Sequence, residues 1–228
     1  MERRSVLLEY GEALLVALVL ALYARTFVVQ AFKIPSSSME RTLLVGDHIF
    51  VNKFIYGDTV FAFERVLLPV REIRRGDVIV FKYPGRPDLD YIKRVIGIGG
   101  DEIYGVEGVV YVNHRPLVEP YAVHRHAEWG FAVRDTFAAK DQPVRVPAGH
   151  YFVMGDNRDN SEDSRYWGTV PAYMVKGRAF LIYWSFEPPA SDYYSPHRNR
   201  TSLDAVLDFL SVFNPLRTRW SRMFRVIH

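Results

Sequence analysis

The sequence predicts a mainly β protein. The strands form a core interrupted by a smaller inserted region, with one N-terminal transmembrane helix before it and a short helical basic tail after it. Three observations lead there. The longest apolar run, Ala13 to Ala24, stands near the N-terminus. From His48 to Phe186, short β-branched and aromatic runs alternate with Gly, Pro, Asn and Asp clusters, the pattern of strands joined by turns. Helical spacing becomes clear again from Leu203.

Arg3 and Arg4 precede the apolar run, and Glu12 and Arg25 bound it. Its 12 uncharged residues are fewer than the roughly 20 that span a bilayer. Val6-Leu7-Leu8 or Phe27-Val28-Val29 restores the length, with Arg25 snorkelling toward the headgroups. A cleaved signal peptide wants small residues at −3 and −1, and Leu22 before Ala24 fits that poorly. Residues 1–31 are therefore expected to be a membrane anchor, with a buried core helix as the alternative. Charge does not fix the orientation, because Arg25 and Lys33 answer Arg3 and Arg4.

Pro35 holds Ile34 extended, and Met39 to Leu44 has room for a turn or two of helix. Phe32 to Asp47 reads as a strand, a sharp turn and a short helix with a serine hydroxyl at its positive end. A plainer reading makes Ser37-x-x-Glu40 a capping box. His48 to Phe54 is a strand, and Thr59 to Arg71 is an irregular apolar loop. Arg75-Gly76-Asp77 turns into the strand Val78 to Tyr83, which Pro84 to Pro87 ends. Tyr91 to Gly97 is a strand closed by Gly99-Gly100-Asp101. Val109 to Val112 with a turn at Asn113-His114 suggests a hairpin. Val118 to Pro147 is poor in pattern, while Tyr151 to Met154 and Gly177 to Phe186 are strands. The expected organisation is a β core of residues 32–104 and 148–187, an inserted region 105–147 and a basic tail 188–228.

The 228 residues are 49% hydrophobic and 24% charged, as in a folded protein. With no cysteine, thiolate metal sites, cysteine nucleophiles and disulfides are excluded. A pI near 9.0 invites a nucleic-acid partner, but the charge distribution argues against one. His197 to His228 carries six Arg and two Asp, so everything before it has a net charge of −1. The basicity belongs to the tail and not to a binding face.

Ser36-Ser37-Ser38 after Pro35 offers a candidate nucleophile, which needs a base at neutral pH. None of the seven histidines stands in a recognisable triad setting. Lys93 is the alternative. Tyr91, Lys93 and Val95 share one strand face, and a face that buries both neighbours desolvates the lysine and lowers its pKa. The competing reading is an exposed edge lysine that blunts strand pairing. The third stretch, Gly155 to Gly168, carries five acidic or amide residues in its first eight positions. Its spacing does not fit an EF-hand, because Arg158 or Ser164 falls where a ligand or glycine is needed. A loop tied by its own ion pairs fits better. His124 and His126 lack nearby metal-ligand partners and read as solvated.

Pro35-Ser36-Ser37-Ser38-Met39, Arg75 to Phe81, Tyr91 to Gly97, and Gly155 to Ser161 through Trp167-Gly168, in that order behind one membrane segment, resemble the boxes of bacterial type I signal peptidases. The resemblance covers roughly Ala13 to Phe186 and implies an antiparallel β-sheet catalytic core with a smaller inserted β region. It implies a Ser-Lys dyad endopeptidase with catalytic Ser38 as nucleophile and Lys93 as general base. It places Ser36 beside the Ser38 N–H in the oxyanion hole and Ser161 against the lysine, with Asp156, Asp163 and Arg165 as support. It implies no metal or cofactor. Its substrates are preprotein signal peptides with small residues at −1 and −3. Its location is the cytoplasmic membrane, single-pass, with the catalytic part on the extracytoplasmic side against the lipid bilayer. Serine at 37, arginine at 41 and glycine at 99 depart from residues the family often has there.

The tail sets Leu203, Val206, Leu207, Leu210 and Phe213 at helical spacing, then Trp220, Met223, Phe224 and Ile227 after Pro215. Arg217, Arg219, Arg222 and Arg225 lie among the second set. Two readings stay open. One is a basic helix on an anionic membrane, and the other is packing on the protein's own sheet.

Overall fold

A computed structural model describes residues 6–23, 29–53, 71–124, 142–188 and 214–228. Four consecutive apolar residues, Val78-Ile79-Val80-Phe81, are all buried, and they dictate the architecture. A strand of this kind needs both faces covered. Val78 and Val80 enter one core with Ile34, Met39, Leu43, Ile49, Val51 and Ile182. Ile79 and Phe81 enter another with Ile73, Val95, Val153 and Val170.

In chain order the strands are β1 (Val29–Lys33), β2 (Asp47–Asn52), β3 (Val78–Tyr83), β4 (Arg86–Ile98), β5 (Glu102–Val106) and β6 (Val109–Val112). They continue as β7 (Arg115–Pro116), β8 (Val144–Arg145), β9 (His150–Met154), β10 (Val170–Pro171), β11 (Val175–Ser185) and β12 (Arg225–Val226). The main sheet runs β1-β2-β11-β3-β4-β9-β10, with β12 on β11, and all its pairs are antiparallel. The smaller sheet runs β7-β6-β5-β8. A third core of Ile96, Ile103, Val110, Val146, Phe152 and Met154 joins the two sheets.

The antiparallel β class and the smaller sheet agree with expectation, and Asn113 and His114 turn the β6–β7 hairpin with positive φ values of 52° and 63°. Strand β4 is interior, between β3 and β9, so Lys93 is not an edge lysine. No helix follows Ser38. The segment is a chain of turns, with Glu40 N–H donating to the Ser37 carbonyl and Leu43 N–H to the Met39 carbonyl. Arg41 at φ +87° leaves helical space, and the Asp47 carboxylate accepts the Leu44 N–H. The Ser37-x-x-Glu40 capping box does not form either. Ser37 and Glu40 accept from Asn160 and Asn157 instead.

The apolar N-terminal run lies in α1 (Val6–Tyr23), where Leu14, Leu15, Val16, Leu18 and Val19 are exposed. Among the described residues no helix is long and apolar enough to cross a membrane. The expectations for Phe27-Val28, for Thr59 to Val70 and for the helix at 203–213 lie outside the described residues. Residues 214–228 are not helical as expected. They form turns, one 3-10 turn (Trp220–Arg222) and β12, because Ile227 is drawn into the core and Arg222 pairs with buried Asp47.

Candidate active site

Three segments meet beside Lys93 in the middle of β4, where β9 ends, and the register explains why. Lys93 pairs with Ile79 of β3, and its neighbour Arg94 pairs with Met154, the last residue of β9. The chain leaving β9 at Gly155 therefore starts beside Lys93. The turns after β1 are seated by Met39 and Leu43, both fully buried, and this sets Ser38 over the same place.

Lys93 Nζ lies 2.6 Å from Ser38 Oγ. Lys93 is 4% exposed, and burial lowers its pKa from 10.5 to about 8. The nearby Asp163 carboxylate opposes that shift and Arg165 adds to it. Water is nearly excluded, so the neutral amine is accessible near neutral pH and can accept the Ser38 proton. Ser36 Oγ lies 3.4 Å from Ser38 Oγ. The Ser38 N–H donates to no main-chain carbonyl among the described residues. The Ser36 hydroxyl and the Ser38 N–H are therefore candidate donors to an oxyanion.

Asp163 is fully buried. Burial alone would raise its pKa, but the Arg165 guanidinium and the Gly155 N–H hold it below the usual carboxylate range. Arg165 Nε and Nη2 approach it at 2.8 and 3.0 Å. Ser161 Oγ donates to Asp163 at 2.7 Å, so the Ser161 proton goes to the carboxylate and not to Lys93. Asp156 makes a separate bidentate pair with buried Arg94, at 2.8 Å for both bonds, and accepts from Thr42. Ser36, Ser38 and Lys93 form one constellation. Ser161, Asp163 and Arg165 form a second behind it, and Asp156 anchors the turns through Thr42.

Residues that the sequence reading did not single out complete the site. Asn157 N–H donates to the Ser38 carbonyl at 3.0 Å, and its Nδ2 donates to the Ser37 carbonyl at 3.2 Å. Asn160 Nδ2 donates to Ser37 Oγ at 2.8 Å. The acidic loop therefore clamps the serine turn by its main chain. Gly155 permits this approach. A Cβ there would lie 2.5 Å from the Ser38 carbonyl oxygen. The run of amides in Gly155 to Asn160 was the available signal, but it did not say which partner the amides would take.

Among the described residues no group of three or more His, Asp or Glu is placed to hold a metal ion. His124 is exposed, as a solvated histidine should be, and partial desolvation and the nearby Arg158 cation lower its pKa. His126 lies outside the described residues.

A family profile described as "Signal peptidase, peptidase S26" matches residues 7–184. Signal peptidase I of Pseudomonas aeruginosa is 37% identical over 217 residues, covering 83% of this chain and 76% of that protein. Signal peptidase I of Aquifex aeolicus is 35% identical over 219 residues, covering 74% and 81% respectively. A probable signal peptidase I-2 of Synechocystis is 40% identical over 184 residues, covering 78% and 73%.

Proposed function

The chain belongs to the signal peptidase family, peptidase S26, and from that membership we propose that it is a membrane-anchored serine endopeptidase that removes N-terminal signal peptides from exported preproteins. The observation that carries the chemistry is the buried 2.6 Å contact between Lys93 Nζ and Ser38 Oγ.

In this mechanism Ser38 Oγ attacks the scissile carbonyl while neutral Lys93 takes its proton. The Ser38 N–H and the Ser36 hydroxyl receive the developing oxyanion. Lys93 then gives its proton to the leaving amine of the mature chain, leaving the signal peptide acylated on Ser38. Water attacks the ester while Lys93 accepts its proton, and Lys93 then returns that proton to Ser38 Oγ as the acid product departs. Ser161, Asp163 and Arg165 hold the lysine's surroundings polar, while Asp156 and Asn157 fix the serine turn. The expected substrates carry small residues at −1 and −3. The solvent-exposed apolar side chains of α1 suit a bilayer, and with their flanking residues they form the anchor that places the catalytic part on the extracytoplasmic side.

The test is cleavage of a labelled preprotein by the detergent-solubilised full chain across pH. Cutting is expected after alanine at −1, with alanine at −3, and a bulky residue at −1 should stop it. The rate should rise with pH as Lys93 deprotonates, with an apparent pKa of about 8, and level off above it. No cleavage, or a flat profile with chemistry rate-limiting, counts against the assignment. Ser36→Ala should remove about 2–4 kcal/mol of transition-state stabilisation, and Ser36→Thr should lose less. Equal losses for the two variants would exclude a hydroxyl donor at 36.

A further inference from the structure

A cavity of about 430 Å³ opens beside the serine turn, and among its lining residues are Arg41, Thr42, Arg94, Tyr121, Ile182 and Arg225. We propose that this cavity binds a phosphate ester, held by the guanidinium groups of Arg41 and Arg225.

The charge balance is the first argument. Arg94 is fully engaged. It pairs with Asp156, and its Nη1 donates to the Gly76 and His228 carbonyls at 2.7 Å each. The Arg41 and Arg225 side chains make no ion pair or hydrogen bond among the described residues, and both residues are exposed. Three arginines and no Asp or Glu line the cavity. Asp156, beyond the lining, neutralises Arg94, so the charges of Arg41 and Arg225 are left over. Arginine forks match phosphate oxygens bidentately, and a concave site focuses such charge.

Backbone conformation gives a second argument. Arg41 holds φ +87°, a left-handed region unfavourable for a non-glycine residue. The twist belongs to the residue whose side chain lines the cavity. The third argument is the apolar part of the wall. Ile182 and Pro120 line it, and the Tyr121 ring is stacked on the Arg94 guanidinium at 4.0 Å. Burial holds the Tyr121 hydroxyl protonated well past the usual range, so it adds no anionic charge. Such a wall suits a phosphate carrying a compact organic group better than bare phosphate.

The chemistry is shared by a lipid headgroup and a free phosphate ester. The probe is glycerol 3-phosphate, titrated calorimetrically into the full chain in non-ionic detergent at constant ionic strength. Saturable binding is expected, stronger than for inorganic phosphate and absent for chloride. Arg41→Gln and Arg225→Gln should each weaken it at least tenfold, Arg41→Lys should weaken it less, and Arg86→Gln, on an exposed arginine paired with Asp88, should leave it unchanged. Unfolding midpoints without ligand should match the parent, since both side chains are exposed. If phosphatidylglycerol mixed micelles displace the probe and phosphatidylcholine micelles do not, the natural source is a lipid headgroup. If neither does, it is a soluble ester. The proposal is overturned by absent binding, by binding equal to that of chloride, or by Arg41→Gln and Arg225→Gln variants that bind like the parent. None of these measurements uses the peptidase reaction, so they stand or fall separately from it.

Discussion

Lys93→Met abolishes preprotein cleavage and leaves a protein that unfolds at a higher temperature than the parent at pH 7. The first half follows from the dyad. Without the amine 2.6 Å from Ser38 Oγ, nothing buried beside the hydroxyl can take its proton, and Ser38→Ala should be equally inactive. The second half follows from linkage. Burial lowers the folded pKa of Lys93 from 10.5 to about 8, so the folded protein binds its proton less tightly than the unfolded chain does. A lysine shifted in this direction destabilises the fold where it must be protonated, below pH 8, and the penalty fades as pH rises toward the unfolded value. The shift corresponds to about 3 kcal/mol. Methionine fills a similar volume without charge, so the stability gain should be largest at pH 7 and below and should disappear near pH 10. Thermal melts of parent and variant across that range make the comparison. Parallel curves at all pH values would mean that Lys93 is not desolvated as described, and residual turnover in the variant would remove it as the base.

This site was legible in the sequence where a residue's chemistry conflicted with its neighbourhood. Lys93 among Tyr91, Ile92 and Val95 is such a conflict, and three hydroxyls after a proline are another. The strands were legible where β-branched residues ran together, as in Val78 to Tyr83. What escaped were features set by a distant partner. Glu102–Val106 forms β5, yet Gly105 within it is a poor strand residue. The Val110 and Val112 side of β6, with Ile96 and Phe152 beyond, gives that strand its place. The expected helix after Ser38 was a local reading of Met39 to Leu44. It lost to burial of Met39 and Leu43 and to Asp47, whose carboxylate accepts the Leu44 N–H, the Ser185 hydroxyl and the Arg222 guanidinium. None of those partners is near in sequence except Leu44. Asn157 was visible as one of several amides, but nothing local said that it would hold Ser37 and Ser38 by their carbonyls.

Removing residues 214–228 is expected to destroy cleavage of a soluble peptide together with the fold, and not to spare it as an appended membrane tail would. Helical spacing in Trp220, Met223, Phe224 and Ile227 suggested a basic helix on lipid. In the structure the main chain goes the other way. Phe224 N–H donates to the Ile182 carbonyl at 2.7 Å and Ile227 N–H to the Phe180 carbonyl at 3.0 Å, which adds β12 to β11. Arg219 donates to the Val45 and Phe186 carbonyls. It closes over Gly46, where a Cβ would lie 2.2 Å from the Phe186 carbonyl oxygen. Arg222 reaches the Thr42 carbonyl at 3.0 Å and the fully buried Asp47. Truncation strips Ile227 from the core, a loss of about 2–5 kcal/mol by analogy with large-to-small core changes. It also leaves the Asp47 charge buried and unpaired, which costs about 3–5 kcal/mol. Together these approach the whole stability of a typical domain. The single change Arg222→Met should reproduce the second cost. Adding Asp47→Asn should recover part of it, since the orphaned charge is then gone. Because Thr42 and Asp47 frame the turns that carry Ser38, the single variant should also lose peptide turnover, and the double variant should regain some. Denaturant melts and soluble-peptide kinetics on parent, truncation, single and double variants read out both effects. A truncation that melts like the parent and keeps its peptidase rate would show that these fifteen residues hold nothing in place.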